Sequence, residues 1–149
     1  MPTSTFQWGA LGSYTALITS GQLSGLTTGS LAVSTAAFNN TNGPFYGYLE
    51  LQVTATGALA SGDYMQGWFL IPADGTNYED STGASITPAR AADFIIPVRA
   101  VTNTSQRIVI RNVILPPGNF NTLIQNVMTT KISTGSSVLS LTAYGEQVV

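Results

Sequence analysis

The sequence contains neither cysteine nor histidine, and both absences exclude kinds of chemistry. Without cysteine the chain cannot form a disulfide framework, bind a metal through thiolates or use a thiol as a nucleophile. Without histidine it has no Ser-His triad, no histidine-bound zinc and no imidazole for acid–base catalysis. We therefore expect a protein that is not an enzyme and that has no catalytic residue, no metal ligand and no cofactor.

Charged residues are scarce as well. They make up 8% of the 149 residues, whereas about 25% is usual in globular domains. Five lysines and arginines against seven acidic residues give a net charge of −2. Because so few positive charges cannot neutralise a stretch of nucleic-acid backbone, we expect no nucleic-acid partner.

Long apolar runs are also missing. The longest ones, around 94–98 and 108–110, are far shorter than the roughly 20 residues that span a bilayer. The first residues carry neither the basic region nor the apolar region of a secretory signal. The sequence therefore predicts a soluble chain with no membrane partner, synthesised in the cytoplasm of the cell that expresses it.

Small neutral residues take the place of charge. The chain has 20 threonines, 14 serines and 15 glycines. Ordering such side chains at an interface costs less rotamer entropy than ordering lysine or glutamate. This composition suits a surface that lies flat on another protein or on a copy of itself.

The apolar pattern favours strands in a single domain, residues 1–149. In the clearest one, Tyr48 to Thr56, apolar Leu49, Leu51 and Val53 alternate with polar neighbours, which is the period of a half-buried strand. Further strands are predicted over the ranges 65–71, 94–102, 107–115, 121–128 and 138–144. Short apolar runs separated by Gly, Pro, Asn and Asp turns predict an all-β, antiparallel β-sandwich.

Two of these strands carry more specific expectations. Pro97 cannot donate a ladder hydrogen bond, so the strand over 94–102 is expected at an edge or with a bulge. In the strand over 107–115, strict alternation predicts that both faces are covered. One face would hold Val109, Val113 and Leu115, and the other Ile108, Ile110 and Ile114.

Residues 1–35 contain few apolar side chains, and two interpretations remain open. One is an irregular first strand followed by a loop. The other is an extended arm within residues 1–20 that packs on a neighbouring subunit, because large exposed aromatics near a terminus need a place to be buried. The anchors of such an arm would be Phe6, Trp8, Leu11 and Tyr14.

Two other groups of residues suggest binding. Four arginines, Arg90, Arg99, Arg107 and Arg111, fall in one third of the chain. Arg107 and Arg111 share a strand face, so the group is a candidate contact for an acidic protein surface. The segment 74–80 collects four oxygen-bearing side chains suited to calcium, but its spacing does not match an EF-hand loop. We interpret it as a solvated hairpin.

An aromatic cluster in sequence leaves a third possibility. It consists of Tyr46, Tyr48, Tyr64, Trp68 and Tyr78. If these rings line an exposed groove, they would bind carbohydrate and the protein would be a host-attachment module. If they are buried, they form a core cluster instead. The burial of Trp68 distinguishes the two.

The C-terminal third carries a resemblance. The run Leu115-Pro-Pro-Gly-Asn-Phe120 leads to Leu123-Ile-Gln-Asn126, and a polar hairpin follows into Leu139–Tyr144. With the Asp-Gly-Thr-Asn-Tyr segment at 74–78 and the long polar N-terminal stretch, this pattern resembles the capsid decoration, or cement, proteins of tailed bacteriophages. The resemblance covers residues 25–145.

The resemblance implies a jelly-roll-like sandwich that assembles as a homotrimer on the outer capsid surface of the virion. Such a protein binds the major capsid protein, stabilises the capsid and carries out no reaction. A tail or neck component of the same virion is the alternative within the structural class, and the carbohydrate-binding module is the alternative outside it.

Overall fold

Short β-strands dominate the computed structural model, which describes residues 6–8, 11–41, 43, 45–72, 74, 77–78 and 86–148. The strands are β1 Phe6–Trp8, β2 Tyr14–Ile18, β3 Leu31–Val33, β4 Phe38–Asn40, β5 Tyr46–Val53, β6 Tyr64–Leu70, β7 Phe94–Pro97, β8 Gln106–Ile114, β9 Gly118–Asn126, β10 Val138–Tyr144 and β11 Glu146–Val148. One short helix, α1 Ser20–Leu23, follows β2.

The strands form two antiparallel sheets that pack face to face. The first sheet has the order β2-β10-β5-β8, and the second has the order β3-β9-β6-β7 with β4 also paired to β9. A separate two-stranded ladder joins β1 to β11. The prediction of an all-β, antiparallel β-sandwich is confirmed.

The core lies between the two sheets, where alternate side chains of both meet. Leu49, Leu51 and Val53 of β5 are buried there, as their alternation predicted. From the second sheet, Phe69 packs against Phe120 with ring centroids 4.9 Å apart. Each large apolar side chain buried in this way contributes about 1.5–3 kcal/mol.

Strand boundaries follow the sequence pattern closely in most places. The strand over 138–144 is found as predicted, and β5 and β6 each begin and end within three residues of their predicted ends. β7 stops at Pro97 and pairs only with β6 among the described residues, which confirms its edge position. β9 begins at Gly118 rather than at residue 121, because it extends back to pair with β4.

The predicted faces of β8 are wrong beyond Arg111. Gly47 pairs with Val113 while Leu49 pairs with Ile110, so two residues of β8 lie opposite Tyr48. This is a β-bulge, and it inverts the alternation of every residue that follows it. The second bulged residue, Asn112, has φ 58°, a left-handed conformation that asparagine adopts more readily than most residues.

The prediction that both faces of β8 are covered is also wrong. Ile108 and Ile110 pack against the core before the bulge, and Val113 and Leu115 are buried after it. The opposite face lies on the outside of the first sheet. There Val109 is 47% exposed and Ile114 is 73% exposed.

The N-terminal segment contributes to the sandwich. β2 is hydrogen-bonded to β10 at one edge of the first sheet. Residues 6–8 pair with 146–148 of the same chain. The extended arm over residues 1–20 stays a prediction, and positions 1–5, 9 and 10 lie outside the described residues.

Asn126, which ends the recognisable Leu-Ile-Gln-Asn run, holds two loops together. Its side chain is fully buried. Nδ2 donates to the carbonyls of Leu26 at 2.9 Å and Thr130 at 3.1 Å, while Oδ1 accepts from the Met128 backbone N–H at 2.9 Å. Both the NH2 group and the oxygen of this buried amide are hydrogen-bonded. The amide fixes the turns around it, because moving either loop away would leave a buried polar group without a hydrogen-bond partner.

We expect Gly67→Ala to destabilise the fold by about 1–3 kcal/mol, the usual cost of overpacking a core. A Cβ at position 67 would overlap the ring of Phe94 and lie 2.9 Å from the carbonyl oxygen of Leu123, which belongs to the strand backbone. The free energy of unfolding, measured with urea, tests this.

The matched control for that measurement is Gly21→Ala in α1. The nearest atom to a Cβ there is Thr19 Oγ1 at 4.0 Å. Alanine has the higher helix propensity, so this variant should equal or exceed the wild-type stability. Equal stability losses in the two variants would contradict the packing argument.

Candidate interaction surface

Part of the outer face of the second sheet is covered by the chain itself. Trp68, Leu70 and Leu123 form a small apolar cluster on this face, and Tyr78 and Ala92 pack against it. The described residues of the segment between β6 and β7 thus shield this cluster. Ile95 of β7 lies on the same face and remains 54% exposed.

Arg90 and Asp93 fasten that segment to β6. Arg90 Nη1 lies 2.6 Å from Asp93 Oδ1, and Nη2 donates to the Phe69 carbonyl oxygen at 2.9 Å. Asp93 Oδ2 in turn accepts from the Phe69 N–H at 2.7 Å. Arg90, predicted as an interface residue, is therefore engaged in holding the fold together.

The burial of Trp68 removes the basis of the carbohydrate hypothesis. Trp68 is only 2% exposed, and its indole Nε1 donates to the Arg90 carbonyl oxygen at 3.2 Å. Tyr78 packs against the same cluster. The five rings therefore do not line one groove: Trp68 is buried with Tyr78 against it, whereas Tyr46 and Tyr48 lie on the first sheet.

The outer face of the first sheet carries a tyrosine cluster. The ring of Tyr144 lies 4.7 Å from that of Tyr48 and 6.0 Å from that of Tyr46, measured between centroids. Its hydroxyl donates to Asn112 Oδ1, the side chain of the bulged residue. Burial, followed by the neighbouring Tyr48, raises the pKa of the Tyr144 hydroxyl above its ordinary value.

Exposed side chains on this face lie mainly along β8. Arg107 and Arg111 flank Val109 on the outward side of the strand. Arg107 Nε approaches Glu50 Oε1 at 3.2 Å, an exposed pair worth about 0–1 kcal/mol. Within the described part of the chain Arg111 has no ion pair, so it supplies an uncompensated positive charge.

A cleft of about 690 Å³ lies between the edge strands β7 and β8. We name it the edge cleft. Its lining is mostly apolar and includes Phe94, Ile110, Val113 and Leu115, with Arg111 and Asn112 beside them. Ile95 and Ile114 also line it, and both are exposed.

The structure brings only part of the predicted interface together. Arg99 lies beside the start of β8, because the Gln106 side chain accepts from its backbone N–H at 2.8 Å and donates to its carbonyl at 3.1 Å. Arg99, Arg107 and Arg111 thus share one edge of the sandwich. Leu11 and Tyr14 are exposed at the other edge of the first sheet, near β2.

Phe6 and Trp8 lie in β1, where they pair with Val148 and Glu146. Their side chains lie outside the described residues. The prediction that they anchor an arm on a neighbouring subunit therefore stays a prediction.

Sequence reasoning missed Ile114 and Ile95 as exposed residues. Strict alternation assigned Ile114 to a covered face, and only the asparagine at position 112, which tolerates a left-handed backbone, hinted at the change of face. The sequence assigned no face to Ile95, which lies on the exposed face of the edge strand β7.

The candidate calcium segment is only partly described. Asp74 Oδ1 accepts from the Asn77 backbone N–H at 2.6 Å, and Pro72 forms a bridge with Tyr78, as in the expected hairpin. Positions 75, 76, 79 and 80 lie outside the described residues. Among the residues that are described, no group of three or more His, Cys, Asp and Glu side chains is placed to hold a metal ion.

Comparison with known proteins assigns no family to the chain. No family model matches the sequence, and neither a curated protein nor a solved structure matches it. Within the described ranges no helix has the length and apolar character needed to cross a bilayer. Any assignment of function must therefore come from the geometry and the motifs.

Raising the pH should destabilise the fold through Tyr144. Because burial raises its pKa in the folded state, the unfolded chain releases this proton first. The contribution is fully present below the ordinary value of 10.0 and is lost as the pH rises through the folded pKa. Urea midpoints measured between about pH 8 and about pH 11 should fall more steeply for the wild type than for Tyr144→Phe. Parallel curves would contradict this assignment.

Proposed function

We propose that the protein is a non-enzymatic structural protein of a tailed-phage virion. It binds the outer surface of the head as a decoration, or cement, protein and stabilises the lattice of the major capsid protein. One observation carries this proposal. Described residues of the β6–β7 segment shield an apolar cluster on the outer face of the second sheet, whereas the first sheet and its β8 edge expose Val109, Ile114 and Arg111.

The composition of the exposed face supports attachment by many weak contacts. Glu50, Arg107 and Arg111 are its charged groups among the described strand residues, and the rest are aliphatic, uncharged polar or aromatic side chains. Such a face loses little side-chain entropy on docking. Repetition of modest contacts by symmetry then raises the avidity without a single strong contact.

The strand order supports the jelly-roll form of the sandwich. Pairing is nested: β2 pairs with β10, β3 and β4 with β9, β5 with β8, and β6 with β7. Eight strands paired in this nested order across two sheets, with β4 as an addition to the second sheet, are the pattern of a double Greek key. This agrees with the fold that the resemblance of residues 25–145 implies.

The proposed assembly is a homotrimer on the virion surface, in contact with the major capsid protein and with neither nucleic acid nor membrane. A trimer presents three copies of the same exposed face to a lattice that is itself repeated, so the contacts add. The N-terminal residues 1–20 would take part in contacts between subunits. No cofactor enters this function.

Purified protein should bind phage heads that lack it and should raise the temperature at which those heads rupture. We expect Ile114→Asp to weaken the binding by about tenfold or more, because it places a charge in the apolar part of the interface. Co-sedimentation with heads measures the binding, and heating with detection of released DNA measures the stabilisation.

The control is the same substitution in the β6–β7 segment, beside Thr87, whose hydroxyl accepts from Gln125 of β9. Ile86 is 60% exposed and Ile114 is 73% exposed, so neither replacement removes core packing. Ile86→Asp should bind heads as the wild type does. Binding that is absent, or that brings no heat resistance, argues against the proposal, and density at the neck or tail in a virion reconstruction would assign the protein there instead.

A mass measurement in solution tests the assembly. Sedimentation equilibrium should give three times the 15.6 kDa of one chain, the mass of the proposed homotrimer. A monomer at micromolar concentration would contradict the trimer.

A further inference from the structure

The β8 edge has the properties of a site for strand addition. β8 spans nine residues and pairs only with β5 within the described chain. An edge strand leaves a row of backbone N–H and C=O groups unpaired, and an extended segment of another chain can satisfy them. The bulge at Asn112 interrupts the regular register, so the usable stretch is residues 106–111.

The edge cleft supplies apolar surface next to the end of this stretch, at Ile110 and Arg111. It runs between β7 and β8 and is lined by Phe94, Ile110 and Val113. A segment added to β8 would direct alternate side chains toward the cleft, because successive side chains of a strand point to opposite faces. Apolar residues at those positions would cover Ile110 and the exposed Ile95.

The other face of the same stretch is positively charged. Arg107, Val109 and Arg111 project outward at alternate positions, and Arg99 lies close to the start of β8 through its bonds to Gln106. Glu50 engages Arg107, and Arg111 has no ion pair among the described residues. An added strand with acidic residues beside the two arginines and an apolar residue beside Val109 would complement this face.

The same pattern disfavours a second copy of the chain as the occupant. Antiparallel pairing of two β8 strands about Val109 would place Arg107 of one copy opposite Arg111 of the other. Like charges directly opposite each other on neighbouring strands are destabilising. The occupant must therefore carry the opposite charge.

We propose that residues 106–111 of β8 bind an extended segment of another protein in which acidic and apolar residues alternate, and that this segment adds as a further strand of the first sheet. The inference deepens the proposed function and rests on it only for the source of the segment, which would be the capsid protein. Backbone hydrogen bonds supply the affinity, and the two arginines and the edge cleft supply the specificity.

A synthetic peptide tests the inference without phage heads. The probe is a labelled ten-residue peptide whose central five residues are glutamate, isoleucine, valine, isoleucine and glutamate, flanked by serine and threonine. The comparison peptide carries lysine in place of both glutamates. Fluorescence anisotropy with the full-length protein should show binding of the acidic peptide at least about tenfold tighter than that of the lysine peptide, the size expected for two close charge pairs.

Charge substitutions test the contribution of Arg111, and N-methylation of the peptide tests the contribution of backbone hydrogen bonds. Arg111→Glu should weaken binding of the acidic peptide by about tenfold or more and shift the preference toward the lysine peptide. Lys131→Glu makes the same change of charge at an exposed position outside β8 and should leave the affinity within about twofold, because salt screens distant charges. N-methylation of alternate peptide bonds should abolish binding, since it removes the donors that strand addition requires.

Several outcomes would overturn the inference. They are no binding of the acidic peptide, equal losses in Arg111→Glu and Lys131→Glu, and binding that survives N-methylation. A change of oligomeric state in Arg111→Glu without peptide binding would assign the edge to a second copy and would also overturn it. Binding to heads without binding to the peptide would contradict this inference alone. Binding to the peptide without binding to heads would contradict the proposed function.

Discussion

The left-handed residue Asn112 is the constraint on which the exposed surface depends. Its φ of 58° places an extra residue in β8 opposite Tyr48, so the strand can keep Ile108 and Ile110 against the core and still turn Leu115 inward at its end. The side-chain amide stabilises the same geometry from outside, because its oxygen accepts the Tyr144 hydroxyl. This one backbone conformation thus ends the regular part of the β8 edge and exposes Ile114. It also places the Asn112 side chain beside the tyrosine cluster.

The outer faces of the two sheets differ. On the second sheet, Arg90 and Asp93 bind the backbone of Phe69 and hold the described residues of the β6–β7 segment against β6. On the first sheet, Val109 and Ile114 are exposed, and the described strand residues bring few charged groups to the face. Burial of apolar side chains is favourable, whereas burial of an unpaired charge is costly.

Much of the fold could be predicted from the sequence, because the alternation of apolar and polar residues along a strand indicates which face is buried. The alternation of Leu49, Leu51 and Val53 placed β5 correctly, and Pro97 placed β7 at an edge. The faces of β8 were predicted wrongly because strict alternation was applied along the whole strand. A bulge adds one residue and reverses every assignment after it. The burial of Trp68 was left open by the sequence, because it depends on the conformation of the loop after β6, where the Arg90 carbonyl accepts the indole hydrogen bond.

The ladder between β1 and β11 differs mechanically from the edge of β8. Phe6 lies opposite Val148 and Trp8 opposite Glu146. Tension that pulls residues 6 and 148 apart therefore breaks the hydrogen bonds of this ladder one pair at a time. A segment laid along β8 and pulled along its own axis is sheared instead, and all its hydrogen bonds share the load. A load along the β8 edge would therefore be resisted by many hydrogen bonds at once, whereas a load on the ladder of β1 and β11 would be resisted by one pair at a time.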